Sequence, residues 1–111
     1  MTGRQRKARM SSNAAEQPLS PLTAVQVPAH VVYRAFAAET IMLNLQTGTY
    51  HGLNPTAGLM LETLQRHAVI ADAASAIAAH YEEDSESVKA DLLMLCSGLI
   101  KRGLLAVKPD S

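Results

Sequence analysis

The stretch from Ile41 to Pro55 leaves this chain few folds to choose from. It reads as a β-hairpin that runs straight into a helix. Thr40 to Leu45 is rich in β-formers. Gln46-Thr47-Gly48 supplies a short turn, and Gly48 is free to take a positive φ. Thr49 to Leu53 returns as the next strand. Asn54 is a good helix N-cap, and Pro55 fits the first helical position, where its missing N–H costs nothing. Apart from His51, the stretch holds no catalytic group. It is a surface for binding, not a pocket for chemistry.

The rest of the chain extends this core in both directions. Met1 to about Thr23 lacks hydrophobic periodicity and holds Arg4, Arg6, Lys7 and Arg9, so residues 1–23 are expected to be a disordered tail. A solvated tail explains these cations better than a contact with an acidic partner. Val25 to Phe36 is the first strand region. Pro28 interrupts it, so pairing is expected to begin near His30 or Val31. Val31, Tyr33 and Ala35 share one face, and Val32, Arg34 and Phe36 the other. Three strands joined by short turns make an antiparallel meander.

Three helices follow. The spacing predicts the first from about Pro55 to Arg66, with Ala57, Met60, Leu61 and Leu64 on one face. The second runs from about Ile70 to Tyr81, with a buried stripe of Ile70, Ala73, Ala74, Ile77, Ala78 and Tyr81. The third begins at Asp84 or Ser85, carries Val88, Leu92, Leu95, Cys96 and Leu99, and ends at Arg102 before the cap residue Gly103. Leu104 to Val107 either packs back or forms a small strand, and residues 108–111 are a free end. The expected fold is α+β: a three-stranded antiparallel sheet, then three helices, winged helix-turn-helix-like, over residues 24–107.

Composition narrows the function. Hydrophobic residues are 48% of 111, enough for one small core, and formal net charge is zero, so no global field draws in nucleic acid or membrane. No apolar run approaches the ~20 residues of a membrane span. The basic N-terminus has no apolar stretch behind it, which argues against a signal peptide. A cytoplasmic protein is the simplest expectation. His30, His51, His67 and His80 form no close ligand pair, so neither a metal nor a cofactor is expected. Cys96 lies on an apolar stripe and reads as a structural thiol. Glu82, Glu83, Asp84 and Glu86 suit helix ends better than acid–base work, and nothing points to an enzyme. Those same acids would repel a DNA duplex from the third helix, which weighs against winged-helix DNA binding, the rival from another class. The positive feature is the outer edge of the last strand, whose free N–H and C=O groups can pair with an extended peptide. The alternation leaves open whether the N–H of His51 points outward or toward its neighbour.

Leu43 to Gly58, a strand, a Thr-Gly turn, a second strand ending in Leu-Asn and then a helix, resembles the signature of PqqD-like proteins. Val88-Lys89-Ala90-Asp91-Leu92 and Leu99 to Leu105 are similar to that family's closing helix, so the resemblance covers about Val31 to Val107. It implies a recognition element for ribosomally made, modified peptides (a RiPP recognition element), which binds the leader of a precursor by strand addition. Thr49, Tyr50, His51, Gly52 and Leu53 would supply the edge, and Asp91, Leu92, Leu95 and Leu99 the helical wall. A free-standing protein of this kind looks most like the version from lasso-peptide pathways. The implied partners are the leader peptide, a cysteine leader peptidase of transglutaminase-like fold and an ATP-dependent cyclase. The version that serves pyrroloquinoline quinone synthesis with a radical SAM enzyme is the nearest alternative, and the Gln46 to Tyr50 turn departs from it.

Overall fold

Alternation of apolar side chains along the chain produces strands where it was expected to, and the computed structural model describes residues 19–109. The tail cations Arg4, Arg6, Lys7 and Arg9, and residues 110–111, lie outside the described residues. The elements in order are β1 (Val25–Gln26), β2 (Val31–Ala35), β3 (Thr40–Asn44), β4 (Tyr50–Leu53), α1 (Pro55–Arg66), α2 (Ile70–Tyr81), α3 (Ser85–Lys101) and β5 (Ala106–Val107). Strands β2, β3 and β4 make an antiparallel meander with β3 in the middle. The α+β layout of three strands followed by three helices is the one expected.

Each face of the meander has its own job. Val31, Met42 and Leu53 are buried beneath the helices, while Val32, Phe36, Leu45 and Tyr50 are exposed on or beside the opposite face. β3 ends one residue earlier than expected because Asn44 Oδ1 accepts from the amides of Gln46 (2.9 Å) and Thr47 (3.3 Å). That side chain curls the backbone away before Leu45 can extend the ladder. Gly48 completes the turn at φ 75°, a value few side chains tolerate.

Capping chemistry sets the helix bounds. Asn54 Oδ1 accepts from Ala57 N at 2.8 Å with Pro55 at the start of α1, and Asp84 Oδ2 accepts from Ser87 N at 3.0 Å at the start of α3. α1 packs on the sheet from β3 to β2. Gly58 brings it against β3, where an added Cβ would lie 2.6 Å from Thr40 Oγ1. Further on, α1 meets Tyr33, whose phenol is held above its usual pKa by burial and by Glu62, with a hydrogen bond from Gln65 opposing. The alanines Ala73, Ala74 and Ala78 are buried and let α2 pack on α3. Tyr81 departs from its expected place on the buried stripe and is 49% exposed. The helix stops there as Glu82 turns left-handed (φ 56°), which leaves Tyr81 at the mouth of a cleft.

Two features are long-range. The region expected as one interrupted strand splits at Pro28 into β1 and β2. β1 pairs antiparallel with β5, Val25 opposite Val107 and Gln26 opposite Ala106, so the segment after Gly103 forms a small strand. The tail boundary also shifts. Ser20 to Thr23, expected as tail, form a turn closed by Thr23 N to Ser20 O at 3.0 Å. Val69 gives α2 no side-chain cap, so the amides of Ile70 and Ala71 donate instead to Thr23 O (3.0 Å) and Pro21 O (2.7 Å). Helix amides without a side-chain cap thus find their acceptors in this stretch.

The core centres on Met42, Leu61, Leu64, Ile70, Leu92, Cys96 and Leu99, each at most 1% exposed. Among the described residues no helix is long and apolar enough to cross a membrane. Leu92 touches no water, so Leu92→Ala should cost about 2–5 kcal/mol through lost burial and the cavity left behind. A urea titration of the variant against the parent chain measures it.

Candidate functional site

A strand edge is useful only if its backbone groups point away from its neighbour, and the ladder fixes which do. Asn44 N donates to Thr49 O at 2.9 Å, so Asn44 faces β4. Leu45 N donates to His30 O (2.7 Å) and Phe36 N to Glu39 O (2.7 Å), so the odd-numbered residues of β3 face β2. Antiparallel pairs alternate between bonded and non-bonded. With Met42 opposite His51 and Thr40 opposite Leu53, the backbone groups of His51 and Leu53 are therefore committed to β3. Those of Tyr50 and Gly52 point outward, and no strand lies beyond β4 among the described residues. This answers the question left open for His51: its N–H points inward.

Thr49 offers less than expected. It precedes the strand, its carbonyl takes the Asn44 amide, and its N–H and hydroxyl are both held by Thr47 Oγ1 (3.2 and 2.7 Å). His51 is half-buried and Leu53 buried on the helix side, while the Tyr50 side chain projects from the other face, 76% exposed.

α3 begins near the end of β4 and finishes near the end of β3, where the hairpin turns. Asp91 lines a cleft with Pro55 and Thr56, just past the end of β4. At the other end of α3, Gly103 lies against Asn44 Nδ2, and its carbonyl is 3.3 Å from His30 Nε2. From Asp91 to Gly103 a helix rises about 18 Å. From Thr49 to Pro55 a strand covers about 20 Å. The two elements therefore match in length.

The expected helical wall needs correcting. Leu92 and Leu99 were expected to line it, but they are 0% and 1% exposed and belong to the core with Val88 and Cys96. The adjacent stripe at i, i+4, i+7 and i+11 is Asp91, Leu95, Gly98 and Arg102. Asp91 is exposed and Leu95 half-buried, so these two of the expected four have surface to offer. Gly98 and Arg102 share that stripe, and their spacing from Asp91 is a signal readable in the sequence. Arg102 Nη1 donates to Gly98 O at 3.2 Å, which folds the guanidinium along the helix surface. The cleft at the Pro55 end, of about 340 Å³, has walls from Leu59, Met60, Ile77 and Val88, with Glu83 and Asp91 also lining it. It too was not anticipated, because it joins three helices that are distant in sequence.

Burial pushes the Cys96 thiol up to about 12, which keeps it protonated at neutral pH. Among the described residues no three His, Cys, Asp or Glu side chains gather in a metal-binding group.

Comparison with known proteins gives one family and two structures. The family model described as coenzyme PQQ synthesis protein D (PqqD) matches residues 39–105. The chain is 29% identical to TbiB1, solved in complex with the TbiA(beta) leader peptide, with a TM-score of 0.68 over 77% of this chain and 99% of that one. It is 22% identical to a lasso peptide synthetase B1 solved with its leader peptide, with a TM-score of 0.65 over 78% and 99% of the two chains, a likeness in fold. No curated protein matches the chain.

Two outcomes check the geometry. His51→Pro removes a ladder donor and leaves the Met42 carbonyl unpaired, which should cost about 1–3 kcal/mol. Tyr50→Pro removes an outward N–H and should stay within about 0.5 kcal/mol of the parent. Thermal unfolding followed by circular dichroism separates them, and the reverse order, with Tyr50→Pro the costlier, would show that the assigned ladder is shifted by one residue. Cys96 should resist iodoacetamide at pH 8 in the folded protein and react on adding denaturant. Mass spectrometry of the alkylated chain reads this out.

Proposed function

The chain belongs to the PqqD family, and on that premise we propose that it is a RiPP recognition element, a non-catalytic module that binds a precursor's leader peptide. The leader adds as a strand to β4 and lies in the groove beside α3. The observation that carries this reading is the outward-facing backbone of Tyr50 and Gly52 on an unpaired strand edge. The fold shared with TbiB1, which was solved holding a leader peptide, supports the same use here. The pathway we assign is lasso-peptide biosynthesis. The bound precursor would be handed to a cysteine leader peptidase of transglutaminase-like fold and an ATP-dependent cyclase.

Magnitudes divide the labour between backbone and side chains. Tyr50 and Gly52 each bring one N–H and one C=O. At ~0.5–1.5 kcal/mol net per hydrogen bond they contribute roughly 2–6 kcal/mol. Lost rotational and translational freedom costs about 4–15 kcal/mol. The backbone alone therefore does not hold a peptide. Apolar side chains must be buried as well, at about 1.5–3 kcal/mol for each one of leucine size. Leu95 and the cleft at Pro55 are where that burial is available. The edge supplies the mode of docking, and the groove supplies affinity and selectivity.

Fluorescence polarisation with a labelled synthetic leader of a lasso-peptide precursor tests the reading. Saturable binding is expected. Tyr50→Pro and Leu95→Asp should each weaken it by more than about tenfold, or ~1.4 kcal/mol, without loss of the circular dichroism spectrum. Amide exchange should slow along β4 and α3 when leader is added. Slowing along β2 with β4 unchanged would place the peptide on the wrong edge for this proposal. Tight retention of one duplex DNA sequence in a gel shift would replace it with the winged-helix alternative.

A further inference from the structure

The groove is electrically unlike at its two ends. At the Leu53 end stand Asp91 and Glu83, which line the cleft with Pro55. Glu39 reaches the same end from the other face of the sheet. A Cβ added to Gly52 would run into Glu39 Oε2, and would lie 3.7 Å from Ile41 Cδ1. The bare outer face of Gly52 is thus occupied by a carboxylate, directly beside the open edge. All three acids are exposed. The opposite end carries Arg102 on the groove stripe, with Lys101 next to it. No acidic residue occurs between Asp91 and Pro109, and none between Glu39 and Glu62.

These charges are available to a ligand. Among the described residues the one ion pair is Lys89 with Glu86 at 3.1 Å, which occupies the cation closest in sequence to Asp91. Glu39, Glu83, Asp91 and Arg102 have no charged partner among the described residues. The helix dipole accounts for acids where α3 starts and cations where it ends. It does not account for Glu39, which comes from the β2–β3 turn and meets the same end of the groove.

We propose that the groove selects its peptide by charge order. The preferred segment carries Lys or Arg where it passes Leu53, and Asp or Glu where it passes the end of α3. Asp91 and Arg102 are about 16 Å apart along the helix at ~1.5 Å per residue. That distance matches about five residues of extended peptide. In a strand antiparallel to β4 the cation comes first and the anion about five residues later. Exposed pairs of this kind change affinity only about two- to fivefold each. They rank peptides that the groove already accepts, and the ranking fades as salt rises. The inference rests on strand addition at β4 and names the class of peptide that this edge prefers.

Display selection of random peptides against the full chain at low salt is the test. Enriched peptides should carry a basic residue about five positions before an acidic one. A selected peptide remade with its two charges exchanged should bind about fivefold more weakly or worse, and high salt should erase the difference. Arg102→Gln and Asp91→Asn should flatten the preference, and the combination Glu39→Lys, Asp91→Lys and Arg102→Glu should invert it. Circular dichroism verifies each fold, and the neutral variants decide the matter if the charge-reversed one unfolds. Enrichment without charge order, or indifference to exchange, would overturn this inference while leaving strand addition standing. Failure to enrich any peptide would remove strand addition and this inference together.

Discussion

Asn44 holds the register on which the rest depends. Its side chain ties the amides of Gln46 and Thr47, and its own amide ties Thr49. Together these fix where the chain reverses, and so which residues of β4 meet β3. A slip of one residue would turn every side chain in the strand to the other face. It would also exchange the inward and outward backbone groups. Leu53 would leave the core and Tyr50 would enter it, a trade of a buried aliphatic for a phenol with no partner. The burial of Met42 and Leu53 on one face makes that slip costly, so turn and core enforce the same register.

From that register the site follows almost mechanically. β4 leads through Asn54 into α1 without a spare residue, so α1 must start at the end of the edge. α1 covers the sheet toward Tyr33, and α3 meets the start of α1 at the cleft that Pro55 and Asp91 share. The acidic cap Asp84 and the left-handed Gly103 (φ 74°) then fix where α3 starts and stops. Gly103 is close enough to Asn44 that the residue setting the hairpin also meets the end of the groove wall.

Local chemistry was legible in the sequence, and relative placement was not. The three helices lie where Asn54-Pro55, the alanine-rich stripe and Asp84 put them, because caps and periodicity act within a few residues. The strands differ only at their ends, where Asn44 turns inward on the backbone. The phase of α3 was a different matter. Val88, Leu92, Leu95, Cys96 and Leu99 share one broad apolar face, and periodicity cannot divide it between core and groove. Only the packing of the whole core does that, and it buries Leu92 and Leu99 while sparing part of Leu95. The pairing of β1 with β5 joins residues from opposite ends of the chain and left no local trace. The cap that Pro21 and Thr23 provide for α2 was hidden for the same reason. The outward direction of Tyr50 and Gly52 needed the hydrogen-bond phase, which no residue type encodes.

The short ladder between β1 and β5 has a further consequence. It brings Thr23 and Ala24 alongside Lys108 and Pro109, so the chain enters and leaves the domain at one spot. That spot is built from other elements than β4 and the Asp91–Arg102 stripe. A unit with adjoining ends can be spliced into a loop of a host enzyme, or carried on a tether at either end, without prying its core apart. Such a graft would keep the β4 edge open and let the host decide how near the captured chain comes to its reactive centre. The same topology makes this module portable.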